Sequence, residues 1–180
     1  MTAMSAAGDS DVDDGQGIAA GVFTIDPARS GISFRTRAMW GLLGVRGTFS
    51  VESGKVEVGE PATTSTVEAV VSAASFASGI PQRDEHVRSS DYLDVANHPR
   101  IVFVSDRFEW TGTRGTLQGR LTVRDVTRPV KLDVTSVTGG ERELTARATT
   151  TIDRFDFEVT TARGMTGRKL QLTLDVVATR

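Results

Sequence analysis

Apolar and polar residues alternate along most of this chain, and a period of two is the pattern of half-buried strands. Ile32-Ser33-Phe34-Arg35-Thr36-Arg37 shows it, and Val45, Gly47, Phe49 and Val51 resume it after a break. The same rhythm returns in Leu117, Gly119, Leu121 and Val123, in Val130, Leu132 and Val134, and from Leu170 to Val177. Further strands are predicted at Val22–Ile25, Thr66–Phe76, Ile101–Val104 with Phe108–Trp110, Leu144–Ala148 and Ile152–Val159. Turn signals separate them: Asp26-Pro27, Ser53-Gly54, Gly112–Gly115 and Gly139-Gly140, the last of a kind that demands positive φ. Roughly eight strands or more with such spacing leave a sandwich or a closed antiparallel barrel. Closure removes exposed strand edges, and a barrel of about eight strands has room for one small ligand. Periodicity alone does not choose between the two.

One stretch breaks the rhythm. Residues 80–99 are dense in charge and hold both histidines and the single tyrosine. Pro81 suits the first helical position because its ring pre-sets φ. Asp84 and Glu85 then fall in the first turn, where the helix dipole favours negative charge. Asp91 is placed to cap a second short turn carrying Tyr92, Leu93 and Val95, and Pro99 ends the element. A short helical segment near 81–96 is therefore predicted as a plug or lid on an all-β body.

Composition narrows the function. With no cysteine, disulfides, thiolate metal sites and a Cys nucleophile are excluded. The net charge of −2 gives a nucleic-acid partner no electrostatic support. No apolar run approaches the length of a membrane-spanning helix. Residues 1–28 hold five Asp and no Lys or Arg, which leaves +3 on residues 29–180. Residues 1–20 are predicted to be a disordered acidic tail and 21–180 the folded domain. The start lacks a basic region followed by an apolar core, so the expected location is cytoplasmic.

His86, His98, Asp91 and Asp94 match no standard metal spacing and are read as caps and hydrogen-bond partners. Arg83 and Asp84 are read as a structural anchor. Ser89 and Ser90 follow His86 with no nucleophile elbow around them. The apolar turn Met39-Trp40-Gly41-Leu42-Leu43-Gly44 is unusual, because a loop is normally polar. It is either a rim at a barrel mouth, where Trp40 suits transient membrane contact, or a flap folded into the core. Met165 is a further candidate for that rim.

Three segments carry a resemblance. Ile25-Asp26-Pro27-Ala28-Arg29-Ser30 with Phe34 and Val45-Arg46-Gly47-Thr48-Phe49 is the first. Arg83-Asp84-Glu85-His86-Val87-Arg88-Ser89, Asp91-Tyr92-Leu93-Asp94 and His98-Pro99 form the second and most specific. Gly119-Arg120-Leu121-Thr122-Val123-Arg124-Asp125-Val126-Thr127-Arg128-Pro129-Val130 is the third. Ile152-Asp153-Arg154-Phe155-Asp156-Phe157 is a weaker fourth. In this order the chain resembles the YceI-like family of polyisoprenoid-binding, lipocalin-like proteins. It departs from the pattern at Arg29 and Ala38, where a histidine is common, and at Asp125, where a turn glycine is usual.

The resemblance implies an extended lipocalin-like β-barrel, a helix near one end, and a hollow interior for an isoprenoid quinone or polyprenyl lipid. It implies a bacterial binder or carrier, not an enzyme, with no catalytic or metal residues and no cofactor beyond such a bound lipid. A homodimer is compatible with it. The candidate ligand-contacting residues are Phe34, Met39, Trp40, Phe49, Arg83, Tyr92, Phe103, Leu121 and Phe157. Small residues such as Ala69, Gly119, Ala146 and Ala148 are expected to leave a tunnel. A fatty-acid or fatty-amide binder and a ligand-free stress-related module with a packed core are the alternatives.

Overall fold

The computed structural model describes residues 18–180; residues 1–17 of the expected tail lie outside them. Ten strands form one antiparallel sheet: β1 Gly21–Ile25, β2 Gly31–Ala38, β3 Leu43–Phe49, β4 Val51–Val58, β5 Thr66–Ser72, β6 Arg100–Thr111, β7 Arg114–Val123, β8 Val126–Gly139, β9 Glu143–Asp153 and β10 Lys169–Thr179. Helix α1 spans Pro81–Arg88.

The sheet order is β1-β4-β5-β6-β7-β8-β9-β10-β2-β3, with β1 also paired to β10. Strands β1 and β2 share one edge of β10, at Ala178–Thr179 and at Gln171–Asp175. They are two halves of one stave, interrupted at the predicted Asp26-Pro27 turn. β3 and β4 are likewise halves of the next stave, meeting at Ser50. Eight staves therefore close into a lipocalin-like barrel. Among the described residues, the outer edge of β3 is bridged only between Thr48 and Ala77.

Alternation sends Ile32, Phe34, Thr36 and Ala38 inward from β2, while Ser33, Arg35 and Arg37 face solvent. Bulges reset the phase where a long stave would twist out of register. In β6 the bulge lies between Ser105 and Arg107, and it returns Phe108 and Trp110 to the interior. The predicted pair of short strands there is thus a single strand.

Some expectations are corrected. The helix ends at Arg88, not near 96, because the chain turns at Ser89 and continues as hydrogen-bonded turns. Ser89, not Asp91, caps that turn through Oγ. Ser53-Gly54 is no turn but lies within β4, beside a bulge. Thr66–Phe76 leaves strand at Ser72 for a 3-10 turn at Ala73–Ser75. Ile152–Val159 leaves strand at Asp153 for another at Arg154–Phe157. Neither Gly139 nor Gly140 has positive φ. Asp125 does adopt the left-handed region, with φ 64°.

Gly119 has a different task from the expected one. A Cβ there would sit 2.7 Å from the Phe103 ring. The missing side chain makes room for the phenylalanine instead of lining a void. Gly47 does the same for Phe34, whose ring would lie 2.5 Å from a Cβ.

Candidate functional site

The barrel interior is a cavity of about 890 Å³ running along its length. At one end it is bounded by Ile18, Val58, Ala62 and Gly112, at the other by α1, Met39, Met165 and Thr166. This volume lies in the upper part of the range of small-molecule pockets. The walls are almost wholly aliphatic and aromatic, from Ala69 on β5, Ala146 and Ala148 on β9, and leucines and valines of β7 to β10. Gly119 is not among the lining residues.

Eight of the nine candidate residues line this cavity. Phe34, Phe49 and Phe103 come from β2, β3 and β6, Leu121 from β7 and Phe157 from the 3-10 turn. Phe34 and Phe76 stack at 5.3 Å, and Phe49 meets Phe76 edge-on at 5.5 Å. Arg83, Tyr92 and Met39 close the α1 end. Trp40 is the exception: it points outward and is 74% exposed. The apolar turn is therefore a rim with its tip in solvent, not a flap folded into the core.

The polar groups gather at the α1 end. Tyr92 is buried, and its hydroxyl shares a 2.7 Å hydrogen bond with Thr166 Oγ1. Arg124 Nη1 donates to the Tyr92 carbonyl at 2.8 Å, and Thr161 Oγ1 donates to the Asp91 carbonyl. The Thr166 and Thr161 bonds latch the 89–94 turn to the 159–167 loop, and the Arg124 bond ties it to the β7–β8 turn.

Arg154 organises that loop and was missed among the candidates. It is only 7% exposed, yet among the described residues no carboxylate pairs with it. Its guanidinium donates to the carbonyls of Gly167 at 2.8 Å, Val159 at 2.6 Å, Thr161 at 2.8 Å and Thr166 at 3.2 Å. Burial pulls its pKa down, against the nearby Asp153 carboxylate, but a guanidinium keeps its proton at neutral pH. The signal was in the sequence: Leu144, Ala146, Ala148, Thr150 and Ile152 mark the inward phase of β9, and Arg154 falls on it.

Arg83 and Asp84 form the expected anchor. Asp84, 7% exposed, accepts from Ser78 N at 2.9 and 3.1 Å and from Ser78 Oγ. Arg83 Nε donates to Ser78 Oγ at 2.8 Å, and Arg88 Nη2 to the Phe76 carbonyl at 2.5 Å. Helix α1 is thereby stapled to the 76–79 strap that bridges β3. The two histidines have different carboxylate neighbours, Asp91 at 2.9 Å for His86, and Asp125 at 3.4 Å with Asp94 at 3.7 Å for His98.

Burial raises the Asp84 carboxyl, but the Ser78 hydrogen bonds and the charges of Arg88 and Arg83 outweigh it and hold it below its ordinary 3.8. The hydrogen bond from Arg168 does the same for Asp153. A depressed carboxyl adds stability above the unfolded value and loses it as pH falls through the folded one. The urea midpoint should thus hold steady from pH 7 to about 5 and drop steeply below about 4. Asp84→Asn should lower the neutral midpoint by about 1–3 kcal/mol of stability and flatten the acid drop. An unchanged acid slope in the variant would remove Asp84 from this role.

The YceI-like domain model matches residues 23–178. A UPF0312 protein of Pseudomonas putida is 34% identical over 137 residues, covering 72% of this chain and 67% of the relative. One from Pectobacterium carotovorum is 33% identical over 104 residues, 55% of this chain and 54% of the relative. The chain thus spans about half the length of the first curated relatives it matches. Among solved structures, Burkholderia cenocepacia BcnA superposes with a TM-score of 0.75 at 23% identity, covering 86% of this chain and 99% of that one. A polyisoprenoid binding domain from Saccharophagus degradans, implicated in plant cell wall breakdown, gives 0.66 at 12% identity, covering 89% and 99%. Both share the fold.

Proposed function

We propose that this chain, which belongs to the YceI-like family, binds and carries the apolar chain of an isoprenoid quinone or polyprenyl lipid inside its barrel. The observation that carries the reading is the continuous apolar cavity of about 890 Å³. Binding follows from desolvation. Each buried CH₂ contributes about 0.8 kcal/mol, so a chain of about twenty carbons yields a gross ~16 kcal/mol. That exceeds association costs of several kcal/mol with few polar contacts. The name of the Saccharophagus domain supports the ligand class. This reading asks the site for binding, not for chemistry.

The two charged residues of the lining are both arginines, Arg83 and Arg154, and no carboxylate lines the cavity among the described residues. A headgroup rich in acceptor oxygens fits that end, with Tyr92 beside it. Quinone carbonyls meet this demand. So does the carboxylate of a fatty acid, which is the second reading.

Trp110 lines the cavity, whereas Trp40 stands outside it. In a Trp40→Phe background, quinone entry should quench Trp110 emission stoichiometrically, and a fatty acid should relieve the quenching only at much higher concentration. Relief at equal concentration would favour the fatty acid. Tyr92→Phe should change the preference between headgroups more than that between chain lengths. Equal loss for every headgroup would take Tyr92 out of headgroup recognition.

A further inference from the structure

The turn joining β2 and β3 violates several local rules at once. Trp40 and Leu42 are 74% and 85% exposed, and Met39, Leu43 and Met165 beside them are also exposed. Such a turn favours Asn-Gly, because both central residues need positive φ. Here the positions belong to Met39 and Trp40, with φ 49° and 54°. The conformation is held by Met39 N donating to the Met165 carbonyl at 2.8 Å and Trp40 N to the Gly164 carbonyl at 2.7 Å. Bulky residues in the left-handed region cost free energy, and such outliers collect where function demands them.

Charge is arranged as oddly. Residues 31–49 and 159–174 contain Arg35, Arg37, Arg46, Arg163, Arg168 and Lys169 and no carboxylate, in a chain whose net charge is −2. Among the described residues only Arg168 of these has an ion-pair partner, Asp153. Arg35 lies directly across from Arg46 in the β2–β3 register, and opposed like charges destabilise a strand pair.

We propose that this tip docks the barrel mouth onto the surface of an anionic phospholipid bilayer. Trp40 and Leu42 enter the boundary between headgroups and acyl chains, where tryptophan is favoured. Arg35 and Arg46 face each other three pairs behind the Ala38–Leu43 pair that opens the turn, about 10 Å along the strand. That spacing matches an apolar face seated about 5–10 Å into the interface, with the guanidinium groups among the phosphates. Met39, Leu43 and Met165 line the cavity, so a docked mouth opens onto lipid. A second copy of the chain would cover the apolar tip but would bring two basic hairpins, free of carboxylates in residues 31–49 and 159–174, together. A bilayer containing anionic lipid satisfies both features. The purpose of the tip rests on the lipid-carrier reading, but its binding is tested without any ligand.

The test uses the delipidated full chain with vesicles of phosphatidylcholine alone or mixed with phosphatidylglycerol, separated by flotation. The expected result is salt-sensitive binding to the mixed vesicles and little to phosphatidylcholine. Trp40→Ser with Leu42→Ser should weaken binding at least about tenfold. Arg35→Gln with Arg46→Gln should weaken it by a similar factor and blunt the salt dependence. None of these four residues lines the cavity, so quinone uptake from detergent should be unchanged in both variants. If the first variant fails to fold, the arginine variant, on the outer face, carries the test. No vesicle binding by the parent, or parental binding by the folded variants, overturns the proposal. Tip-dependent dimers in sedimentation, abolished by Trp40→Ser with Leu42→Ser, would assign the tip to a second copy and also overturn it. Vesicle binding without quinone uptake would leave the docking tip standing and remove the carrier reading.

Discussion

Ala148→Trp should abolish uptake of a long-chain ligand while leaving the barrel folded. Ala148 stands on β9 at the waist of the cavity, packed among Phe103, Leu117, Leu132 and Val134. Its side chain faces the cavity, so an indole there fills space that the ligand path needs. A chain of about twenty carbons stopped at the waist would lose about half its burial, near 8 kcal/mol gross at about 0.8 kcal/mol per CH₂. Even after relaxation of the walls, affinity should fall at least about 100-fold. Folding should suffer less, because overpacking a core costs about 1–3 kcal/mol and part of this indole enters empty volume. Circular dichroism and a thermal scan check the fold, and Trp40→Phe/Ala148→Phe, with Trp110 as reporter, checks the uptake with a smaller ring. Affinity within a factor of about three of the parent would mean that the ligand does not run past β9.

Arg154→Met should give the largest loss of stability of any single change at the α1 end. The substitution keeps apolar bulk but removes every donor that serves Val159, Thr161, Thr166 and Gly167. Buried carbonyls left without partners cost about 1–3 kcal/mol each before relaxation. Water can enter this rim and recover part of that. A net loss of about 3–5 kcal/mol is expected, or roughly 10 °C in Tm at about 2–4 °C per kcal/mol for a chain of this size. The damage should be local first. The 159–167 loop also holds Met39, Trp40 and Tyr92, so limited proteolysis should cut near Arg163 before the barrel opens. Arg154→Lys should recover only part of the loss, since one ammonium has three donors and no planar fork. A Tm within about 2 °C of the parent would mean that the carbonyls find other partners.

The parts of the fold set by simple alternation were legible from sequence. Leu117, Leu121 and Val123 on β7 and Leu170, Leu172 and Leu174 on β10 point inward as their period demands. What was not legible depends on interactions distant in sequence. The bulges in β4, β6 and β8 shift the phase of the pattern where staves bend, and no local residue type announces them. Ser53-Gly54 reads as a turn, yet Gly54 is needed because a Cβ there would lie 2.6 Å from both the Glu68 carbonyl and Ile25. Ile152–Val159 reads as strand, but Arg154 draws the carbonyls of the following loop around itself and the backbone coils into a 3-10 turn.

The site was legible to a similar depth. Aromatics in alternating strands were placed inside because alternation fixes their face. Trp40 was misplaced because a left-handed turn, invisible in the pattern, turns it outward. Arg154 stayed unnoticed because a single arginine in an apolar phase reads as a strand end until the four carbonyls are seen.

The most direct measurement is organic extraction of the natively purified protein followed by mass spectrometry, with denatured and washed protein as control. The expected result is one polyprenyl quinone or polyprenyl lipid per barrel in the native sample and none in the control. An empty native extract, together with no uptake of added quinone, would contradict the carrier account and leave the cavity without its proposed occupant.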